Sequence, residues 1–126
     1  MGGDIMSEIL LEGYQSIRDY IQNNWSYLEL RDMSDASIVR LKIDTDPRAS
    51  WTHLQGSQTL EITVVIKGSD ADIGTLPKVF NSTAIFKDAI GGDPCSVELF
   101  NPNFTMASSE DQLTIKHRIQ VPKIIT

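Results

Sequence analysis

The chain has 126 residues, a net charge of −6, 40% hydrophobic residues and 22% charged residues. That is the size and balance of one globular domain, and it excludes a disordered or low-complexity chain. The acidic balance repels phosphate backbones and the 11 Lys and Arg form no run, so direct nucleic-acid binding is disfavoured.

The start, MGGDIMSEILLEGYQ, carries Asp4, Glu8 and Glu12 and no basic leader, so no signal peptide is expected. Residues 1–6 are expected to be a flexible N-terminal segment. A helix is expected from Ser7 to Asn23, because Leu10, Tyr14, Ile17 and Ile21 recur on one helical face. Ser7 suits its N-cap, and Gly13 weakens it by about 1 kcal/mol.

From Tyr27 the period changes to two. Tyr27–Arg31 alternates, Met33-Ser34-Asp35 is a turn, and Ile38–Ile43 puts Val39, Leu41 and Ile43 on one face. Asp44–Ser50 is a turn cluster around Pro47, followed by a short strand from Trp51. Thr59–Lys67 is the clearest strand, with Leu60, Ile62, Val64 and Ile66 opposite Glu61, Thr63, Val65 and Lys67. Gly68–Leu76 is a polar loop of the kind that carries contacts.

Pro77 suits the first turn of a helix, and a second short helix is expected near Pro77–Asp88. The poor helix formers Asn81, Ser82 and Thr83 leave extended backbone over Val79–Phe86 as the other reading. Val97–Phe100 and Phe104–Ala107 read as strand segments interrupted at Pro102. The last strand, QLTIKHRIQVP, places Leu113, Ile115, His117, Ile119 and Val121 on one face and Thr114, Lys116, Arg118 and Gln120 on the other, and Pro122 ends it. The expected fold is a single α+β domain over residues 1–126: an antiparallel sheet with the N-terminal amphipathic helix packed on one face and a second short helix.

Motifs of chemistry are not found. The single Cys95 forms no internal disulfide and has no zinc-ligand spacing around it. His53 and His117 stand on different expected strands without a visible catalytic partner, and there is no G-x-S-x-G, H-E-x-x-H or C-x-x-C. Asp44 with Asp46, and Asp70 with Asp72, hint at hard-cation loops, but each supplies too few carboxylates for calcium and reads as solvated turn acids. No catalytic residue, cofactor site or metal site is assigned. Trp25, Trp51, Phe80, Phe86, Phe100 and Phe104 are many large side chains for a thin sheet, suited to a core or to interface anchors.

The order of an amphipathic N-terminal helix, a meander ending in TLEITVVIKG, an intervening segment and the closing QLTIKHRIQVP resembles the tail-terminator and tail-completion proteins of long-tailed bacteriophages. The resemblance implies a virion protein assembled in the host cytoplasm, neither an enzyme nor cofactor-dependent. It implies a homo-oligomeric ring, typically a hexamer, that meets the tail tube and the head connector. DNA passes through the lumen of such a ring without specific binding, and no membrane is involved. Contacts to neighbours are expected from the loops Asp44–Ser50 and Gly68–Leu76, at Asp44, Asp46, Arg48, Asp70, Asp72 and Ile73, and from Trp51, Lys116 and Arg118. Other readings are a tail-tube or stopper subunit, a monomeric domain binding a small ligand in a pocket of Tyr14, Ile17, Phe80 and His117, or an enzyme with a histidine beside a carboxylate.

Overall fold

The computed structural model describes residues 7–121, so the expected flexible segment 1–6 and the strand stop at Pro122 lie outside the described residues. The elements run α1 (Leu11–Asn24), β1 (Tyr27–Arg31), β2 (Ser37–Lys42), β3 (Ala49–Trp51), β4 (Thr59–Lys67), a 3-10 turn (Ala71–Ile73), β5 (Lys78–Phe86), β6 (Ser96–Met106) and β7 (Gln112–Gln120). The α+β class holds, with two antiparallel sheets in place of one: four strands in the order β2-β1-β5-β6 and three in the order β3-β4-β7.

Alternation dictates what each strand buries. In β4, Leu60, Ile62, Val64 and Ile66 are at most 2% exposed, and their neighbours on the other parity are only partly covered. Across the ladder Ile62 faces His117 and Val64 faces Ile115, so the apolar row of β7 lies against the same interior. The four-stranded sheet answers with Leu28 and Leu30 of β1, Leu41 of β2, Phe80 and Ile85 of β5 and Met106 of β6. The core therefore forms between the two sheets, and burying each such side chain stabilises the fold by roughly 1.5–3 kcal/mol.

The second expected helix is absent, and its segment is strand β5. Asn81, Ser82 and Thr83 oppose a helix, and β5 is a central strand paired with β1 on one side and β6 on the other. Its residues Ser82–Phe86 are all buried, so both faces are covered and the two-residue alternation that would mark a strand is missing. Pro77 precedes this strand through a cis peptide bond instead of opening a helix. Pro102 sits in β6 beside a register irregularity between Phe80 and Ser82, a place on an edge strand where a residue without an N–H is tolerated.

Helix α1 starts at Leu11, later than Ser7, with Leu10 as an N-cap that makes no side-chain hydrogen bond. Its buried residues are Arg18 and Ile21. Arg18 donates through Nη1 to the Val121 carbonyl at the end of β7 and through Nη2 to Gln15 at 3.0 Å. Tyr14 of the apolar stripe is half-buried, and its margins are open: Leu10 is 73% exposed, Leu11 77% and Tyr20 57%.

Candidate interaction surfaces

The loops Asp44–Ser50 and Gly68–Leu76 meet at Arg48. A planar guanidinium can grip two carboxylates by its two sides, and Arg48 does so. It binds Asp46 through Nε at 3.0 Å and Nη2 at 2.8 Å. It binds Asp72 through Nη1 at 2.8 Å and Nη2 at 2.7 Å. Asp70 lies 3.4 Å from Nη1 and also accepts the Lys67 N–H at 3.0 Å. Hydrogen bonds from Arg48 hold Asp46 and Asp72 below the usual carboxylate range, and the same bonds, Asp72 first, push the arginine up. The acids of these loops thus answer an internal cation. Among the described residues no group of three or more His, Cys, Asp or Glu is arranged to hold a metal.

Of the other expected contact residues, Asp44 and Trp51 stand together. Asp44 adopts φ 68°, and its carboxylate accepts the Trp51 N–H at 3.4 Å. Trp51 is half-buried and lies edge-on to His53 at 5.8 Å. Ile73 is 2% exposed and belongs to the core, so it presents nothing to a neighbour. Lys116 and Arg118 project from the outer face of β7, their side chains 49% and 56% exposed, and share Glu61 at 3.9 Å and 3.1 Å. The structure brings Asp46, Arg48, Asp70 and Asp72 into one cluster, with Lys116 and Arg118 on a separate face.

His117 is not a surface group. It is 0% exposed, with Nδ1 2.6 Å from the Thr83 hydroxyl of β5 and Nε2 2.9 Å from the Ser96 hydroxyl of β6. A hydroxyl either donates or accepts, so these two satisfy a neutral imidazole in either tautomer. Burial pushes its pKa down from 6.5 to about 4. The residue ties the two sheets together.

The expected pocket of Tyr14, Ile17, Phe80 and His117 does not form, because Phe80 and His117 are fully buried between the sheets. A polar cleft of about 300 Å³ lies instead between α1 and the β3–β4 connection, lined by Gln15, Asp19, Gln22, Asn23, His53 and Ser57 among others. There His53 accepts the Glu61 N–H on Nδ1 at 3.2 Å and meets Gln22 Oε1 with Nε2 at 3.2 Å. Both ring nitrogens are engaged, and Nδ1 also lies 3.4 Å from the Glu61 carbonyl.

Sequence reasoning misses two features. The first is a layer over the outer face of the four-stranded sheet. Glu29, 4% exposed, accepts from Arg31 at 2.8 Å and Arg40 at 3.0 Å. Burial raises the Glu29 pKa, and hydrogen bonds from Arg31, Ser37 and Arg40 outweigh it, leaving the carboxyl below its ordinary range. The Arg40 guanidinium sits 3.6 Å from the Phe86 ring centroid and donates to the carbonyls of Asp88 and Gly91. The ladder pair Glu29 and Arg40 is the one signal that finds it.

The second is a groove of about 350 Å³ between β6 and β7, lined by Phe100, Pro102, Phe104, Leu113 and Lys116 among others. The two strands follow each other through the turn at Ala107–Asp111, yet β6 pairs only with β5 and β7 only with β4. They meet where Ser96 reaches His117 and where the Glu98 carboxylate accepts the Arg118 N–H at 2.9 Å, and they part beyond it.

Comparison with protein-family models, curated proteins and solved structures finds no match to this chain.

Proposed function

We propose that this chain is a non-enzymatic structural protein that works by joining copies of itself, as do the phage tail-terminator and tail-completion proteins that its sequence resembles. In that role it forms a ring in the virion, hexameric by the habit of that family, between the tail tube and the head connector. The acidic balance suits a lumen through which DNA slides without sticking.

The observation that carries this reading is the apolar surface at the start of the chain. Ile9, Leu10 and Leu11 are 51%, 73% and 77% exposed, and Tyr20 of the same helix is 57% exposed. Clustered apolar side chains of this kind mark surfaces that are covered on association. Sedimentation velocity from micromolar to hundreds of micromolar, with negative-stain images of the heaviest species, tests it. Discrete closed rings are expected, and a monomer at every concentration overturns the reading.

A second reading draws on the polar cleft beside His53, whose amide and carboxylate lining would take a small polar ligand. A thermal shift with a small polar compound, abolished by Gln22→Leu, would favour it. Unchanged melting across a broad panel of sugars and nucleosides counts against it.

A further inference from the structure

We propose that residues 7–12 of one copy, Ser-Glu-Ile-Leu-Leu-Glu, dock in the β6–β7 groove of the next copy. The inference rests on the reading that copies of the chain associate, and it names the surfaces that do so.

The groove offers both kinds of group that an extended peptide needs. Its walls are Phe100, Phe104 and Leu113, all partly exposed. Its floor is a free strand edge. The Arg118 N–H points away from β4, to Glu98. Backbone direction alternates along a strand, so Thr114 and Lys116 also turn their N–H and C=O groups away from β4. Among the described residues these have no backbone partner, because β7 is an edge strand. An added strand would satisfy them while its side chains enter the apolar walls.

Residues 7–12 have the matching features. Ser7–Leu10, the part that would pair as a strand, lies ahead of the helix, in neither helix nor strand, with Leu10 extended at φ −90° and ψ 173°, and Leu11 and Glu12 open the helix behind it. Ile9, Leu10 and Leu11 are 51%, 73% and 77% exposed, so most of this apolar surface is open in its own chain. Glu8 and Glu12 flank them, opposite in sign to Lys116 at the groove rim. The acid that also lines the groove, Glu98, is engaged by the Arg118 N–H. Among the described residues the one ion pair of Lys116 is the 3.9 Å contact with Glu61, which Arg118 shares. Lys116 therefore offers Glu8 or Glu12 an opposite charge at the rim, which sets register more than affinity.

Segment and groove are different surfaces of one chain, so their contact is either exchanged reciprocally between two copies about a two-fold axis or made head-to-tail. The head-to-tail form repeats from copy to copy and closes into a ring if the rotation allows, and it is the form that fits the proposed ring.

The test uses two full-length variants: Leu10→Asp with Leu11→Asp for the segment, and Thr114→Trp with Lys116→Glu for the groove. All four side chains are exposed, and urea midpoints near the wild-type value verify folding. Each variant alone should need at least about tenfold higher concentration to assemble. An equimolar mixture should sediment as a heterodimer, because one intact segment meets one intact groove, and growth stops there. A fluorescein-labelled peptide of residues 7–15 should bind the segment variant saturably and leave the groove variant unbound. If either variant assembles like wild type, or the mixture does not pair, or the peptide binds both alike, the docking mode is wrong and self-association stands. A wild-type chain that remains monomeric overturns self-association itself.

Discussion

Acidification from pH 7 to pH 5 should weaken this fold through His117, before its carboxylates begin to titrate. The imidazole is fully buried, held between Thr83 and Ser96, and its pKa falls from 6.5 to about 4 on folding. A proton that binds the unfolded chain more tightly than the folded one pulls the equilibrium toward unfolding as pH drops. Stability is then fully present above about pH 6.5 and is lost progressively down to about pH 4. At about 1.4 kcal/mol per tenfold change in proton affinity, the loss is about 2 kcal/mol by pH 5 and about 3 kcal/mol by pH 4. Urea unfolding followed by tryptophan fluorescence at pH 7, 6, 5 and 4 measures it. The carboxylates with lowered pKa, Glu29, Asp46, Glu61, Asp72 and Asp111, lose stability in the same direction, but only from about pH 5 downward, as their unfolded forms take up protons. The interval from pH 6.5 to 5 therefore isolates the histidine. His117→Gln should flatten the profile there, at a cost at pH 7 for the hydroxyls it leaves imperfectly paired. A wild-type stability that stays constant between pH 7 and 5, or a slope that survives in His117→Gln, refutes the argument.

Arg48→Ala leaves Asp46, Asp70 and Asp72 facing one another without their cation, and should lower stability by about 1–2 kcal/mol. Sodium chloride should recover part of that loss, because salt screens like charges; urea midpoints at low and high salt check both. Arg40→Ala removes the nearer of the two cations over Phe86 and half of the pairing of Glu29, and should cost about 3 kcal/mol in the same assay. Arg40→Lys should recover less than half of it, since an ammonium cannot reproduce the forked contact. Gly68→Ala would set a methyl group on the Ser108 carbonyl, in the turn between β6 and β7. It should lower the thermal midpoint by several degrees, and a neutral result would mean that the turn yields freely.

Most of the sheet architecture is legible in the sequence because most strands are covered on one side only. Thr59–Lys67 and Gln112–Gln120 alternate and bury the parity that alternation assigns. β5 does not alternate, since Arg31 and Arg40 cover the side of Phe86 that would otherwise meet water, and a residue such as Ser82 is as buried as Ile85. A one-dimensional pattern carries no record of that cover.

The helix shows the opposite limit. Its four-three-four spacing is genuine, but period alone cannot say which part of the stripe the body covers. Arg18, polar by composition, is 5% exposed because the Val121 carbonyl lies within its reach, whereas Leu10 is left outside. Of the candidate surface, the acids and Arg48 are individually visible in DTDPR and GSDAD, but their convergence depends on loops 22 and 24 residues apart in the chain. The β6–β7 groove leaves no local signature, because it is the gap between two neighbouring strands that do not pair.

The double fork at Arg48 has a consequence for anything that touches those loops. They are fastened to each other before any encounter, so a neighbour landing on Pro47 or Ala71 meets a stiff, shallow hollow. Little chain entropy remains to be lost on contact there, and the geometry of the hollow, more than its charge, sets the angle at which a second molecule can sit.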